Sequence, residues 1–172
     1  MKKLFAIILA VFIVATFAAC GEAKSAGDTG ISDGGDTPAA TDTKGYAFTF
    51  SGVKLYVGEE FNATSLPEAQ SVSQTPSCAI DGTDDVYNYG TFELTVFNDG
   101  SKGVIYSIYI LDANTPTDEG LYLGDDLTHL ETIYGTEYVR NGDEVVFQKG
   151  ESKLIFILQD DIIISIEFRM AS

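Results

Sequence analysis

The sequence predicts an α+β fold made of two tandem repeats, each a short helix followed by an antiparallel β-meander, with the helices on one face of the sheet. Two kinds of observation lead to this prediction. Short runs alternate between apolar and polar residues and are separated by Gly, Asn and Asp, which is typical of antiparallel hairpins. In addition, residues 121–127 (LYLGDDL) match residues 55–61 (LYVGEEF) at an offset of 66 residues.

The internal match continues along the chain with a shrinking offset. Asn141-Gly142 matches Asp81-Gly82 at an offset of 60, and Ile166 matches Ile108 at an offset of 58. Offsets that shrink only at loops are what a duplication followed by loop trimming would leave. The predicted repeats span about residues 45–112 and 118–172.

The first 19 residues are predicted to be a lipoprotein signal peptide. Lys2 and Lys3 precede an apolar run that is 16 residues long through Ala19, which is short of the roughly 20 residues that a membrane-spanning helix needs. The run ends in Phe17-Ala18-Ala19-Cys20, a sequence typical of a lipobox. We therefore expect cleavage before Cys20 and lipid attachment to its thiol, which would hold the protein at the outer face of the cytoplasmic membrane, in the cell envelope.

Residues 20–44 are predicted to be the lipidated cysteine and a flexible linker. The segment is rich in Gly, Ser, Asp and Thr, and Ile31 is its one large aliphatic residue, so it can bury little apolar area. A flexible chain of this length has a mean reach of roughly 27 Å. The globular domain is expected to span residues 45–172.

Charge restricts the partners of this domain. Residues 45–172 contain 21 Asp and Glu but only 6 Lys and Arg, a net charge of −15. Such a surface repels nucleic acid. The predicted partners are the lipid bilayer, through acylated Cys20, and an unknown protein or envelope polymer, with no nucleic acid.

Taken in order, the chain predicts a hairpin from Tyr46 to Val57 with a turn at Ser51-Gly52. A short helix follows through Leu66, where Pro67 interferes with continuation. The second helix is the clearer one, since Asp125 or Asp126 can cap its start and Gly135 suits its end. Strands are predicted at 78–80, 85–89, 92–97, 103–111, 137–140, 143–148, 152–159 and 162–170.

Alternation along these strands and helical spacing along the second helix also predict the core. Its members should be Phe92, Leu94, Val96, Val104, Tyr106, Ile108, Ile110, Leu127, Leu130, Ile133, Leu154, Phe156, Ile162, Ile164, Ile166 and Phe168.

The layout of glycine, short helix and antiparallel strands in tandem resembles the β-lactamase-inhibitor-protein-like fold, and single copies resemble the small lipoprotein of the barrel-assembly machinery. More closely, the segments at 76–82 (PSCAIDG) and 119–124 (EGLYLG) resemble a family of uncharacterised lipoproteins from Firmicutes. The resemblance covers roughly residues 45–170, and the chain departs from it at Pro67. It implies a fold and an envelope location, and it carries over no functional residues.

Residues that could carry chemistry favour structural roles. His129, the single histidine, is expected to face solvent on the second helix, and Cys78 is expected to be buried and inert. The acidic turn with Asp81, Asp84 and Asp85 offers oxygen ligands for calcium, but turn geometry is the favoured explanation, since the matched turn at residues 141–144 (NGDE) is similar. The sequence predicts no catalytic residue, no metal and no cofactor.

The second face of the sheet is unusually apolar for a solvated surface. Either the meanders curl so that this face is buried, or it is an exposed patch that binds a partner. The candidate binding face consists of Phe97, Ile105, Tyr109, Ile155 and Ile163. The predicted function is a non-catalytic binding module on a lipid anchor. The alternatives are an inhibitor of a secreted protease or β-lactamase and, less favoured, a carboxylate-dependent hydrolase.

Overall fold

The computed structural model describes residues 44–78 and 81–171. It begins with the predicted hairpin, whose strands β1 (Ala47–Phe50) and β2 (Val53–Tyr56) pair in antiparallel register. Ser51 and Gly52 both have positive φ angles, of 51° and 81°, as the tight turn of a two-residue hairpin requires. The hairpin prediction is confirmed. Cys20, the leader and the linker up to residue 43 lie outside the described residues.

Eight further strands form a second, antiparallel sheet. They are β3 (Ser71–Pro76), β4 (Thr83–Asn88), β5 (Phe92–Asn98), β6 (Gly103–Ile110), β7 (Val139–Asn141), β8 (Glu144–Lys149), β9 (Ser152–Gln159) and β10 (Ile162–Met170). Their order across the sheet is β3-β4-β5-β6-β10-β9-β8-β7. The first and last strands of the sheet are therefore β3 and β7, and β6 pairs with β10 at its centre.

The predicted α+β fold of two helix-plus-meander repeats is wrong. The described residues are mostly β, with one eight-stranded sheet, one two-stranded sheet and a single α-helix. The first predicted helix is absent because its backbone is extended. Gly58 N–H donates to Ile105 C=O (2.7 Å), and Ile105 N–H donates to Glu59 C=O (2.9 Å). Only a three-residue 3-10 helix, Ala63–Ser65, follows, and none of its residues is buried.

The second predicted helix is present as α1 (Leu127–Tyr134). Asp126 caps its start by accepting a hydrogen bond from the His129 backbone N–H (2.8 Å), and Gly135 ends it with a φ of 83°. Leu130 is fully buried. Among the described residues, no helix is long and apolar enough to cross a membrane.

The hairpin and α1 cover the same face of the large sheet, here called the inner face. Phe48 packs on Phe92 and Phe168, whereas Tyr134 packs on Phe147 and Phe156. The core below them includes Leu55, Val57, Leu94, Val96, Ile105, Ile108, Ile110, Leu121, Leu130, Val145, Leu154, Leu158, Ile163 and Ile166. The opposite face of the sheet, here called the outer face, is not covered by the hairpin or by α1.

Two β-bulges change which residues of β6 and β10 are buried, so part of the predicted core is wrong. In β6 the pairing with β5 skips Tyr106, and in β10 the pairing with β9 skips Ile164. A bulge inserts one extra residue, so the strand alternation reverses beyond it. Ile105 and Ile163 therefore enter the core at 2% and 1% exposure, whereas Tyr106 and Ile164 are exposed at 38% and 51%.

Ile162, at the end of β10, is also exposed, at 40%. Val104, Leu127 and Ile133 are partly buried, and the other predicted core residues are buried.

Of the strand predicted at residues 78–80, only Cys78 belongs to the described residues. The observed strand β3 ends at Pro76, Cys78 lies in a bend, and Ala79 and Ile80 lie outside the described residues. Cys78 is exposed and not buried as predicted. Cys78 follows the end of β3 and is not part of the core cluster.

Candidate functional site on the outer face

The five residues of the predicted binding face do not form one surface. Ile105 and Ile163 belong to the core of the inner face, because the two bulges reverse the alternation on which the prediction was based. Phe97, Tyr109 and Ile155 lie on the outer face, where they occupy different parts of it. Phe97 is partly buried, Tyr109 is 36% exposed and Ile155 is 6% exposed.

The outer face contains an apolar pocket of about 170 Å³. Its wall is formed by a row of cross-strand neighbours on β4, β5 and β6, in which Asp84 pairs with Phe97 and Phe97 pairs with Val104. The pocket is lined by Ser77, Cys78, Asp84, Phe97, Val104, Tyr106 and Met170. Since most of this lining is hydrocarbon, aromatic ring or thioether, the pocket suits an apolar group.

The bulge in β6 builds one wall of the apolar pocket. Without the extra residue, alternation would turn Tyr106 towards the core, as the sequence suggests. With it, Tyr106 stands on the outer face beside Met170, the last residue of β10. Both residues line the pocket. Bulges are common where a strand must re-aim a side chain next to a functional site.

A polar depression of about 410 Å³ adjoins the apolar pocket and shares Tyr106 and Met170 with it. Ile155 and Val146, which are cross-strand neighbours, contribute apolar surface. The depression is lined by Tyr106, Val139, Asn141, Glu144, Val146, Gln148, Lys153, Ile155, Arg169 and Met170.

Two cations stand side by side in the polar depression. Arg169 on β10 pairs directly with Lys153 on β9. Arg169 forms a two-pronged ion pair with Glu167, in which Nε donates to Oε1 (2.9 Å) and Nη2 donates to Oε2. The hydrogen bonds that Arg169 donates to Glu167 raise the pKa of the Arg169 guanidinium, and this effect exceeds the lowering of the pKa by burial.

Lys153 differs from Arg169 in its surroundings. Within residues 44–78 and 81–171, no carboxylate lies within 4.0 Å of the Lys153 ammonium. Glu144 also lines the polar depression, but in a domain with a net charge of −15 a lysine without a carboxylate partner can attract an external anion.

Two further candidates from the sequence, His129 and Asp85, lie away from the outer face. His129 is exposed on α1, as predicted, and its Nδ1 lies 3.2 Å from Asp125 Oδ2. Asp85 is buried on the inner face and accepts hydrogen bonds from Gln74 Nε2 (2.7 Å) and Thr83 Oγ1 (3.3 Å). In the described part of the chain, no three His, Cys, Asp or Glu side chains gather closely enough to hold a metal ion.

Sequence reasoning missed most of the residues that line the two cavities. Strict alternation assigns Tyr106 and Val104 to the core. Lys153 and Arg169 occupy outward-facing positions of their strands, and the sequence contains a signal that could have identified them. Cations are rare in this acidic chain, so two at facing positions of neighbouring strands are a signal for an anion-binding surface.

Comparisons of the chain with protein-family models, with curated proteins and with solved structures find no match.

Proposed function

We propose that the chain is a lipid-anchored, non-catalytic binding module of the cell envelope and that the outer face of its eight-stranded sheet holds the ligand. The observation that supports this most is the apolar pocket, which adjoins the polar depression through Tyr106 and Met170. A lipobox cysteine followed by a flexible linker would hold such a face close to the membrane surface.

The size of the apolar pocket favours a single side chain as its occupant. Its volume is about 170 Å³, and an apolar cavity of about 150 Å³ is enough to bind benzene. A leucine or phenylalanine side chain of a partner protein fits this scale. Met170 adds adaptability, since the unbranched thioether side chain adjusts to ligands of different shape.

The polar depression adds a charge preference. Lys153 would attract a carboxylate, because Arg169 is already paired with Glu167, while the surrounding net charge of −15 would repel acidic surfaces that do not reach Lys153. The ligand that fits both cavities is an extended protein segment in which an apolar side chain is followed closely by Asp, Glu or a terminal carboxylate.

Site-specific photo-crosslinking on the full chain in its own membranes tests this proposal. A photoreactive phenylalanine analogue replaces Tyr106 in one variant and Tyr122 in a matched control, since the two tyrosines are exposed to 38% and 39%. We expect a discrete protein adduct from position 106 and none from position 122, because only Tyr106 lines the two cavities. Equal adducts from both positions, or none from position 106, would contradict the proposal.

Reversing the charge of Lys153 shows whether the crosslinked protein is bound specifically or is only close by chance. Lys153→Glu should abolish the adduct formed at position 106, because a carboxylate would then face the ligand's own anion. Lys102→Glu makes the same change of charge in the exposed turn between β5 and β6 and should leave the adduct intact. Loss of the adduct in both variants would show that the overall charge, and not the polar depression, controls binding.

A further inference from the structure

Strand β3 forms an open edge of the large sheet. It is the outermost strand beside β4, and all six of its residues are exposed. An exposed edge strand presents unpaired backbone N–H and C=O groups, which can pair with another strand.

The hydrogen-bond pattern shows which groups on β3 are unpaired. Ser77 N–H donates to Gly82 C=O (3.0 Å), and these residues continue the β3–β4 register. Because bonding alternates along an antiparallel pair, the odd-numbered residues of β3 bond to β4. Val72 and Gln74 therefore point both their N–H and their C=O groups away from the sheet. Pro76 points outward as well and has no N–H to leave unpaired.

The charge around β3 is unlike that of the rest of the domain. Residues 69–80 contain no charged side chain, whereas residues 45–172 have a net charge of −15. Natural edge strands are commonly protected by charged side chains, which prevent pairing. The opposite edge, β7, is only three residues long and carries Arg140. Two copies of this acidic protein would repel one another across most of their surfaces, but not along β3.

We propose that β3 pairs in antiparallel orientation with β3 of a second copy of the chain, around a two-fold axis at Ser73, which joins the two eight-stranded sheets. In this register Val72 faces Gln74 of the second copy, and four hydrogen bonds satisfy every N–H and C=O of these residues. Pro76 then lies outside the paired residues. An axis at Gln74 would instead place Pro76 opposite Val72 and leave the Val72 C=O unpaired, which is unfavourable.

The side chains agree with this register. Ser73 faces Ser73 of the second copy, and Ser71 faces Thr75, so the outer-face positions along the new strand pair carry hydroxyl groups. Ser and Thr pairs across antiparallel strands stabilise a sheet by hydrogen bonding. Since the remaining surfaces of the two copies repel each other, dimer formation should increase with salt concentration, as screening weakens that repulsion.

Disulfide trapping tests the register on the full chain in membranes, in a Cys78→Ser background that removes the exposed thiol. At a non-hydrogen-bonded pair the two Cα atoms lie about 4.5 Å apart, which a disulfide can bridge. Ser73→Cys should therefore give a reducible dimer on oxidation. Thr136→Cys, which is also exposed, and Thr75→Cys, which lies away from the axis, should not. A dimer from Thr136→Cys as strong as that from Ser73→Cys would overturn the proposal, and so would the absence of any dimer from Ser73→Cys.

A charge exchange gives a second, reversible test. Ser73→Glu or Ser73→Lys alone should lower the dimer fraction of the full chain in detergent several-fold, because like charges then face each other at the axis. Mixing the two variants should restore a dimer that contains one copy of each. Loss of dimer without recovery in the mixture would overturn the pairing. Photo-crosslinking from Tyr106 should be unchanged in Ser73→Glu, so this test is independent of the ligand site on the outer face.

Discussion

Tyr134 joins the end of α1 to the segment that precedes the helix. Its hydroxyl group lies 2.6 Å from Glu119 Oε2 and 2.8 Å from Thr117 Oγ1, and its ring packs between Tyr46, Phe147 and Phe156. Burial, followed by the hydrogen bond to Glu119, raises the pKa of Tyr134 far above its ordinary value. The native state therefore holds this phenol in its protonated form.

This pKa shift predicts a dependence of stability on pH in the alkaline range. Because the pKa of Tyr134 is higher in the folded chain, its contribution is complete below the unfolded pKa of about 10 and is lost as the pH rises above it. Tyr134→Phe should lower the free energy of unfolding by about 1 kcal/mol at pH 7, through the lost hydrogen bond. The difference in free energy of unfolding between wild type and Tyr134→Phe should then shrink by about 1.4 kcal/mol for each pH unit above 10.

Urea denaturation of both proteins between pH 7 and pH 11 measures this gap. Tyr122→Phe is a suitable control, since Tyr122 is 39% exposed and its replacement should change the free energy of unfolding little at any pH in this range. A gap between Tyr134→Phe and wild type that stays constant across the whole range would contradict the argument.

At the scale of single elements, the two bulges decide which side chains are buried. The sequence predicts α1 well, because its cap, its apolar spacing and its final glycine are all local signals. It does not predict the bulges, since an extra residue in a strand leaves no mark in the pattern of apolar residues. Strict alternation therefore assigns Val104, Ile105, Tyr106, Ile163 and Ile164 to the wrong face, and it places Ile105 and Ile163 in the binding face.

Two isoleucines on β10 provide a direct check of the bulge. Ile166 is fully buried, whereas Ile164, at the bulge, is 51% exposed. Ile166→Ala should lower the free energy of unfolding by about 2–5 kcal/mol, as is usual for a buried aliphatic residue. Ile164→Ala should lower it by less than about 1 kcal/mol, since little apolar area leaves the core.

Urea denaturation at neutral pH compares the two variants under the same conditions. Equal losses of stability would mean that the alternation along β10 is unbroken and that Ile164 faces the core.

For the whole molecule, local sequence signals predicted the hairpins but not the architecture. The strands predicted at 152–159 and 162–170 leave Asp160-Asp161 as a two-residue turn, and both residues have positive φ angles, of 52° and 60°. Strand β3 was missed because its residues, SVSQTP, are largely polar and give no alternating pattern. The predicted first helix failed for a non-local reason, since Gly58 and Glu59 bond to Ile105, which is more than 40 residues away.

The anchoring of the whole molecule depends on residues outside the described part of the chain and is open to a direct test. The Phe17-Ala18-Ala19-Cys20 motif predicts a diacylglyceryl group on Cys20. Acyl chains contribute about 0.8 kcal/mol per buried methylene, so two or three chains would keep the protein bound to the membrane. Cys20→Ser should release the protein from the membrane fraction or leave an uncleaved precursor there.

Metabolic labelling with a lipid analogue identifies the modified thiol. Wild type and a Cys78→Ser control should be labelled equally, because Cys78 is a free thiol within the folded domain, and Cys20→Ser should carry no label. Label that persists in Cys20→Ser would show that the lipid is attached elsewhere. The tether would then not begin at residue 20, and the reach of roughly 27 Å expected for the linker would no longer describe how far the outer face can extend from the membrane.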